Sequence, residues 1–102
     1  MDKAAALEIA RLYADVVVSE LSPDRVLLYG SYAKGEPRED SDIDIAVVFD
    51  GFEGDWFQTC VKLARMTREV SSAIEPVLMD LRDNNIDFVQ EVLQTGEVVY
   101  SK

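Results

Sequence analysis

The sequence predicts an α/β or α+β domain, in which helices pack on a β-sheet. Stretches with helical periodicity alternate along the chain with short apolar runs bounded by turn residues, which is the pattern of that class. The chain has 102 residues, of which 48% are hydrophobic. This length leaves room for one domain, residues 1–102, with its own core.

The first predicted element is an amphipathic helix from Ala4 to Leu21. Its apolar residues recur at helical spacing and should therefore share one buried face. They are Ile9, Leu12, Tyr13, Val16 and Val17. The run Ser22-Pro23-Asp24 ends the helix, because proline cannot continue it.

Four apolar runs predict strands. Arg25–Tyr29 and Ile43–Phe49 are each bounded by turn residues, as buried strands are. Ile74–Met79 contains Pro76, which has no N–H for a neighbouring strand and so belongs at an edge, a strand end or a bulge. We expect a last short strand at Glu97–Tyr100.

Between the first two strands the sequence predicts a short helical turn at Ser31–Lys34. The following segment, Gly35–Asp40, is rich in turn formers and charge, so we expect a surface loop. Asp50–Gly54 is a second break of the same kind.

Two more helices follow. Asp55 is placed to cap a long helix that should run to about Ser72. Asn84 or Asn85 can cap a short helix through Gln94. The residues expected to face inward from that last helix are Ile86, Val89 and Leu93.

The composition excludes several kinds of chemistry. The chain has no histidine, so histidine-ligated zinc and serine-histidine triads are ruled out. Cys60 is the only cysteine, which excludes an intrachain disulfide and a thiolate metal cage. Carboxylates must therefore carry any catalysis.

Charge also limits the partners. Twenty acidic and ten basic residues give a formal net charge of −10, and such a surface repels a phosphate backbone, so autonomous nucleic-acid binding is not expected. It suits a basic protein partner, or simply favours solubility. We see no secretory signal and no apolar run long enough for a membrane, and therefore expect a cytoplasmic protein.

Two local patterns point to phosphate chemistry. Asp42 and Asp44 lie two apart in a predicted strand, so both carboxylates project from one face, roughly 6.5 Å apart at their Cα atoms. Such a pair suits Mg²⁺, and a two-metal arrangement would assist displacement at a phosphate. Gly30 lets backbone amides approach a phosphate, Ser31 can add its hydroxyl, and Lys34 can add a positive charge one turn later.

The run Leu28–Gly35 followed by Asp40–Val48 resembles the signature of the polymerase-beta-like nucleotidyltransferase superfamily, particularly its minimal nucleotidyltransferases. The resemblance implies a mixed sheet flanked by helices. It also implies a third carboxylate from a later strand, which binds metal and accepts the proton of the attacking hydroxyl. Glu75 is our choice, and Asp80 is the alternative.

The small size and acidity resemble the antitoxin half of a two-gene system whose partner is a HEPN ribonuclease toxin. In that family the antitoxin transfers AMP from ATP to a tyrosine of the toxin. Two alternatives stay open, which are nucleotide transfer to a small molecule such as an aminoglycoside, and a non-catalytic antitoxin that acts by contact. The sequence also leaves open whether the protein forms a homo- or hetero-oligomer.

Overall fold

A four-stranded mixed sheet with helices packed on both faces organises the computed structural model, which describes residues 1–36, 41–82 and 86–102. In chain order the elements are α1 (Lys3–Leu21), β1 (Arg25–Tyr29), α2 (Gly30–Ala33), β2 (Ile43–Phe49), α3 (Trp56–Met66) with a 3₁₀ turn (Thr67–Glu69), β3 (Ile74–Asp80), α4 (Ile86–Thr95) and β4 (Glu97–Ser101). The predicted fold class is confirmed. The predicted loop residues 37–40 and the capping positions Asn84 and Asn85 lie outside the described residues.

The strand order is β3-β2-β1-β4, with β2 and β3 parallel and the other pairs antiparallel. β3 is therefore an edge strand, which is one of the three positions predicted for Pro76, since an edge strand leaves one row of backbone groups unpaired. The backbone N–H of Ile43 donates to the carbonyl of Ala73 at 2.8 Å, which aligns the starts of β2 and β3. This alignment decides which side chains of the two strands become neighbours.

Alternation along the strands divides the core between the two faces of the sheet. On one face Ile43, Ile45 and Val47 pack with α1 and α3 in the larger cluster. On the other face Ala46 and Val48 pack with Leu27, Met79 and Val92. The period-2 pattern of β2 predicts this division directly.

Helix α1 begins at Asp2, whose side chain accepts a hydrogen bond from the backbone N–H of Ala5 at 2.9 Å. The predicted buried face is wrong at Leu12, which is 53% exposed. The face that packs on the sheet is rotated toward small side chains, which let the helix come close to the strands. Its fully or nearly fully buried residues are Ala6, Ala10, Tyr13, Ala14 and Val17.

Helix α3 begins as predicted, because the Asp55 carboxylate accepts a hydrogen bond from the backbone N–H of Gln58 at 2.8 Å. It ends at Met66 rather than near Ser72, so the predicted length is wrong. The hydroxyl of Thr67 donates to the carbonyl of Ala64 at 2.7 Å. A side chain that bonds to the helix backbone in this way competes with continued α-helix, and a 3₁₀ turn follows.

In α4 the deeply buried residue is Val92, which the predicted inward face did not include. Val89 and Leu93 are half-buried against the same cluster, and the side chain of Ile86 is outside the described part. The predicted last strand is present as β4. Within the described residues, none of the helices combines the length and hydropathy that crossing a bilayer demands.

Candidate active site

Three acidic side chains come together where β2 and β3 begin. Asp44 pairs in register with Glu75 on β3, and paired residues of neighbouring strands point to the same face. Asp42 lies two residues before Asp44 and immediately before β2. Asp42 and Glu75 are exposed, whereas Asp44 is half-buried. The fold therefore forms a row of carboxylates at one end of the sheet, on the face that α4 covers.

The surroundings of Asp44 disfavour its negative charge. Burial raises the pKa of Asp44, and the negative charges of Asp42 and Glu75 raise it further. Each effect makes the ionised form of Asp44 less favourable. A cation bound between these carboxylates would reverse the repulsion.

Gly30 follows β1 directly and touches the carboxylate row. Its φ is +73°, a conformation that glycine adopts readily and other residues rarely do. A Cβ on Gly30 would overlap Oδ2 of Asp44 and would lie 3.1 Å from its Cγ. The turn and the carboxylate are therefore in direct contact, and only glycine leaves room for both.

The other two predicted nucleotide-binding residues lie on or beside the same turn. Ser31 is half-buried in α2, and Lys34 caps the end of that helix through its backbone N–H. The Nζ of Lys34 forms an exposed ion pair with Glu91 of α4 at 3.6 Å. Lys34 thus lies on the side of Gly30 that faces α4.

The alternative third carboxylate, Asp80, lies at the opposite end of β3. Its two oxygens accept hydrogen bonds from the backbone N–H groups of Gly51, Phe52 and Arg82 at 2.9–3.0 Å. These bonds lower its pKa. Asp80 holds the turn after β2, and the structure brings Glu75 rather than Asp80 beside Asp44.

Tyr29 belongs to the same region, although the sequence analysis gave it no role. It pairs with Asp44 across β1 and β2, so Tyr29, Asp44 and Glu75 form one row over three strands. Burial and then the charges of Asp44 and Glu75 raise its pKa to about 12. The alternation of side chains along β1, together with its pairing to β2, is the signal that would have predicted Tyr29 on the same face of the sheet as Asp44.

A small cleft of about 170 Å³ opens beside Gly30. The ring of Tyr29 meets Phe88 of α4 edge to face within it, with ring centres 6.1 Å apart. The lining residues are Tyr29, Gly30, Lys34, Phe88, Glu91, Val92 and Thr95. Phe88 and Glu91 could not be predicted from local sequence, because they reach this cleft only through the packing of α4 on the sheet.

The donor set suits a hard cation. Mg²⁺ prefers oxygen ligands and retains sites for water and substrate phosphates, so it needs few carboxylates. Across the part of the chain that the structure describes, no three acidic, histidine or cysteine side chains converge closely enough to enclose a metal by themselves. An open set of carboxylates of this kind fits a metal that shares its coordination with a bound nucleotide.

Comparisons by sequence identify the family. The family model described as polymerase beta, nucleotidyltransferase, matches residues 14–102. A protein of Methanocaldococcus jannaschii whose assigned activity is protein adenylylation is 36% identical over 77 residues, which are 74% of this chain and 77% of that protein. A second protein of the same organism with the same assignment is 44% identical over 43 residues, 42% of this chain and 43% of its own.

Solved structures share the fold. A nucleotidyltransferase structure from Sulfolobus solfataricus aligns with a TM-score of 0.71 at 20% identity, covering 98% of this chain and 84% of that one. A toxin–antitoxin structure with AMP-PNP aligns with a TM-score of 0.65 at 24% identity, covering 90% and 73%. A complex of tri-AMPylated Shewanella oneidensis HEPN toxin with an MNT antitoxin aligns with a TM-score of 0.56 at 23% identity, covering 91% and 73%.

Proposed function

This chain belongs to the polymerase beta nucleotidyltransferase family, as a minimal nucleotidyltransferase, and we propose that it transfers AMP from ATP to a tyrosine hydroxyl of a HEPN toxin and acts as its antitoxin. The observation that carries the proposal is the contact between the Gly30 turn and Asp44, with Glu75 in register beside it. A phosphate-binding turn and a metal-binding carboxylate must adjoin if one nucleotide is to touch both.

In the proposed step, the acceptor oxygen forms a bond to the α-phosphorus of ATP. The bond from that phosphorus to the oxygen leading to the β-phosphate breaks, and pyrophosphate leaves. Glu75, which is exposed beside Asp44, accepts the proton of the acceptor hydroxyl on a carboxylate oxygen. Gly30 and Ser31 orient the triphosphate, and Lys34 contributes positive charge to it.

Asp42, Asp44 and Glu75 would hold the magnesium. When bound, the metal would supply positive charge that offsets the negative charge of the triphosphate and of the leaving pyrophosphate. Burial and, after it, the charges of Asp42 and Glu75 raise the pKa of Asp44, and a divalent cation would offset both effects, which supports this assignment. A two-metal site is part of the proposal.

Support for a protein acceptor comes from two directions. The relatives in Methanocaldococcus jannaschii are assigned as protein adenylyltransferases, and the fold matches antitoxins solved in complex with their toxins. The net charge of −10 also favours encounter with a basic protein over encounter with nucleic acid. We place the reaction in the cytoplasm, where ATP and magnesium are both available.

The test uses the protein together with a HEPN toxin, which is to be sought first in the gene next to its own. After incubation with ATP and Mg²⁺, intact-mass analysis of the toxin should show addition of AMP, and peptide mapping should place it on tyrosine. Asp44→Asn should abolish the adduct. Asp15→Asn makes the same chemical change at an exposed position of α1 and should leave the adduct intact.

Other outcomes decide against the proposal in distinct ways. Protection from the toxin that survives in Asp44→Asn, with no adduct on the toxin, identifies a non-catalytic antitoxin that acts by contact. A nucleotide-linked aminoglycoside, formed while the toxin stays unmodified, identifies a small-molecule acceptor. If ATP and magnesium do not stabilise the wild-type protein against heat, the assignment of a nucleotide-binding site to this protein is wrong.

A further inference from the structure

Tyr29 carries a polar group at the candidate site that the proposed reaction has not used. Its side chain projects from the face of the sheet that holds Asp44 and Glu75, since the three residues are paired across β1, β2 and β3. It also lines the cleft beside Gly30 and Lys34. The tyrosine therefore lies beside both the carboxylate row and the Gly30 turn.

Among residues 1–36, 41–82 and 86–102 the hydroxyl of Tyr29 has no hydrogen-bond partner, and because no buried side-chain oxygen or nitrogen of these residues is left unpartnered, this hydroxyl reaches the solvent. Its side chain is half-buried, so the hydroxyl is open to water or to a bound ligand. The ring itself is held, because it packs edge to face against Phe88. A fixed ring with an unused hydroxyl is a preorganised hydrogen-bond donor.

The chemistry of the surroundings selects an anionic acceptor that arrives with the substrate. Phe88 offers only an aromatic ring and Lys34 offers only donors. Within the described residues the hydroxyl forms no hydrogen bond with the nearby carboxylates of Asp44, Glu75 or Glu91. We propose that Tyr29 contacts the nucleotide, donating a hydrogen bond from its hydroxyl to a phosphate oxygen of the nucleotide bound at the Gly30 turn. This assignment rests on the proposed function, because it requires a nucleotide at that turn.

The experiment compares Tyr29→Phe with the wild type in Mg²⁺-dependent binding of non-hydrolysable ATP and GTP analogues, without any acceptor protein. The variant keeps the ring that meets Phe88 and removes only the hydroxyl. We expect affinity to fall about tenfold for each analogue to which the wild type binds, because a hydrogen bond to a charged group is lost. Thermal stability without nucleotide should stay unchanged.

Tyr100→Phe is the matched control, since Tyr100 is half-buried on β4 and packs in the cluster on the opposite face of the sheet. It should bind the analogues as the wild type does. Unchanged affinity in Tyr29→Phe overturns the assignment, and so does a loss confined to one nucleobase, which would indicate a base contact. A wild-type protein that binds no nucleotide overturns the proposed function instead, so the two failures are distinguishable.

Discussion

The carboxylate of Asp44 occupies the space that a side chain on Gly30 would fill. The two residues are separated by thirteen others in the chain, yet pairing of β1 with β2 brings the turn against the aspartate. Gly30 thus serves two purposes, since it permits a positive φ and it leaves Asp44 in place. The positive φ favours glycine at this position, and the contact with Asp44 leaves no room for a side chain.

Gly30→Ala should abolish transfer and also reduce stability. The backbone conformation alone costs a non-glycine residue about 1–2 kcal/mol, and the new Cβ must displace the Asp44 carboxylate as well. We expect kcat/KM to fall at least about a hundredfold, the size of effect that misplacing a reacting group produces. Steady-state kinetics and urea denaturation measure the two effects.

Gly35→Ala is the control for that substitution. Gly35 has nearly the same φ, +72°, but a Cβ there would meet none of the residues that the structure describes within 4 Å. It should lose a similar amount of backbone stability and retain transfer activity once folded. Equal loss of activity in both variants would show that backbone strain, rather than displacement of Asp44, disables the enzyme.

Asp44→Asn should stabilise the metal-free protein while abolishing transfer. The folded pKa of Asp44 lies above its ordinary value of 3.8, so ionised Asp44 costs stability as pH rises through the folded pKa. Removing that charge at pH 7 should add less than about 1 kcal/mol to the free energy of unfolding, given solvent screening at a half-exposed site.

The measurement is urea denaturation in the presence of a chelator, with Asp15→Asn as the exposed control. The stabilisation should shrink as pH falls toward 3.8, where the wild-type carboxylate also becomes protonated. If the variant is less stable than the wild type at pH 7, the ionised Asp44 carboxylate does not destabilise the fold.

Glu75→Gln should reduce transfer activity and Asp80→Asn should reduce stability, although the two residues lie on one strand. Glu75→Gln should abolish or strongly reduce transfer with little change in stability, because Glu75 is exposed beside Asp44. Asp80→Asn should leave transfer intact and cost about 1–3 kcal/mol, because the carboxylate accepts three backbone hydrogen bonds. Loss of transfer in folded Asp80→Asn would instead favour Asp80 as the third catalytic carboxylate.

The stability that Asp80 provides should depend on pH. Hydrogen bonds from the backbone N–H groups of Arg82, Phe52 and Gly51 hold the pKa of Asp80 below 3.8. The stabilisation that ionised Asp80 provides is therefore complete above pH 3.8 and is lost as pH falls through the folded pKa. The difference in unfolding free energy between wild type and Asp80→Asn should therefore be constant from pH 7 to 5 and narrow below about pH 4. A difference that stays constant in acid would exclude ionised Asp80 as its source.

Lys34→Ala should raise the KM for ATP about tenfold with little change in stability. The ion pair of Lys34 with Glu91 is exposed on both sides, and such pairs contribute about 0–1 kcal/mol. Glu91→Gln should leave KM unchanged or lower it, because it frees Lys34 for the triphosphate. If Glu91→Gln raises KM as much as Lys34→Ala, the ion pair rather than a phosphate contact is what binding requires.

Features that depend on neighbouring residues in the chain could be predicted from the sequence. Asp55 caps α3, and the inner residues of β2 divide between two faces, because a cap and a period-2 alternation are both local. The pairing of Asp42 and Asp44 on one face depends on the same alternation. The family can also be recognised from the sequence, because the residues of the Gly-Ser turn and the two aspartates lie within fifteen positions.

Features that depend on how distant segments pack required the tertiary structure. The sequence offers both Glu75 and Asp80 as candidates, and the parallel register of β3 on β2 places Glu75 beside Asp44 and Asp80 at the far end of β3, where it binds the turn after β2. The exposure of Leu12 and the cleft between Tyr29 and Phe88 likewise follow from how helices lie on the sheet. Local patterns determine which side chains a strand or turn presents. Strand register and helix packing determine which of those side chains meet, and both depend on burial across the whole domain.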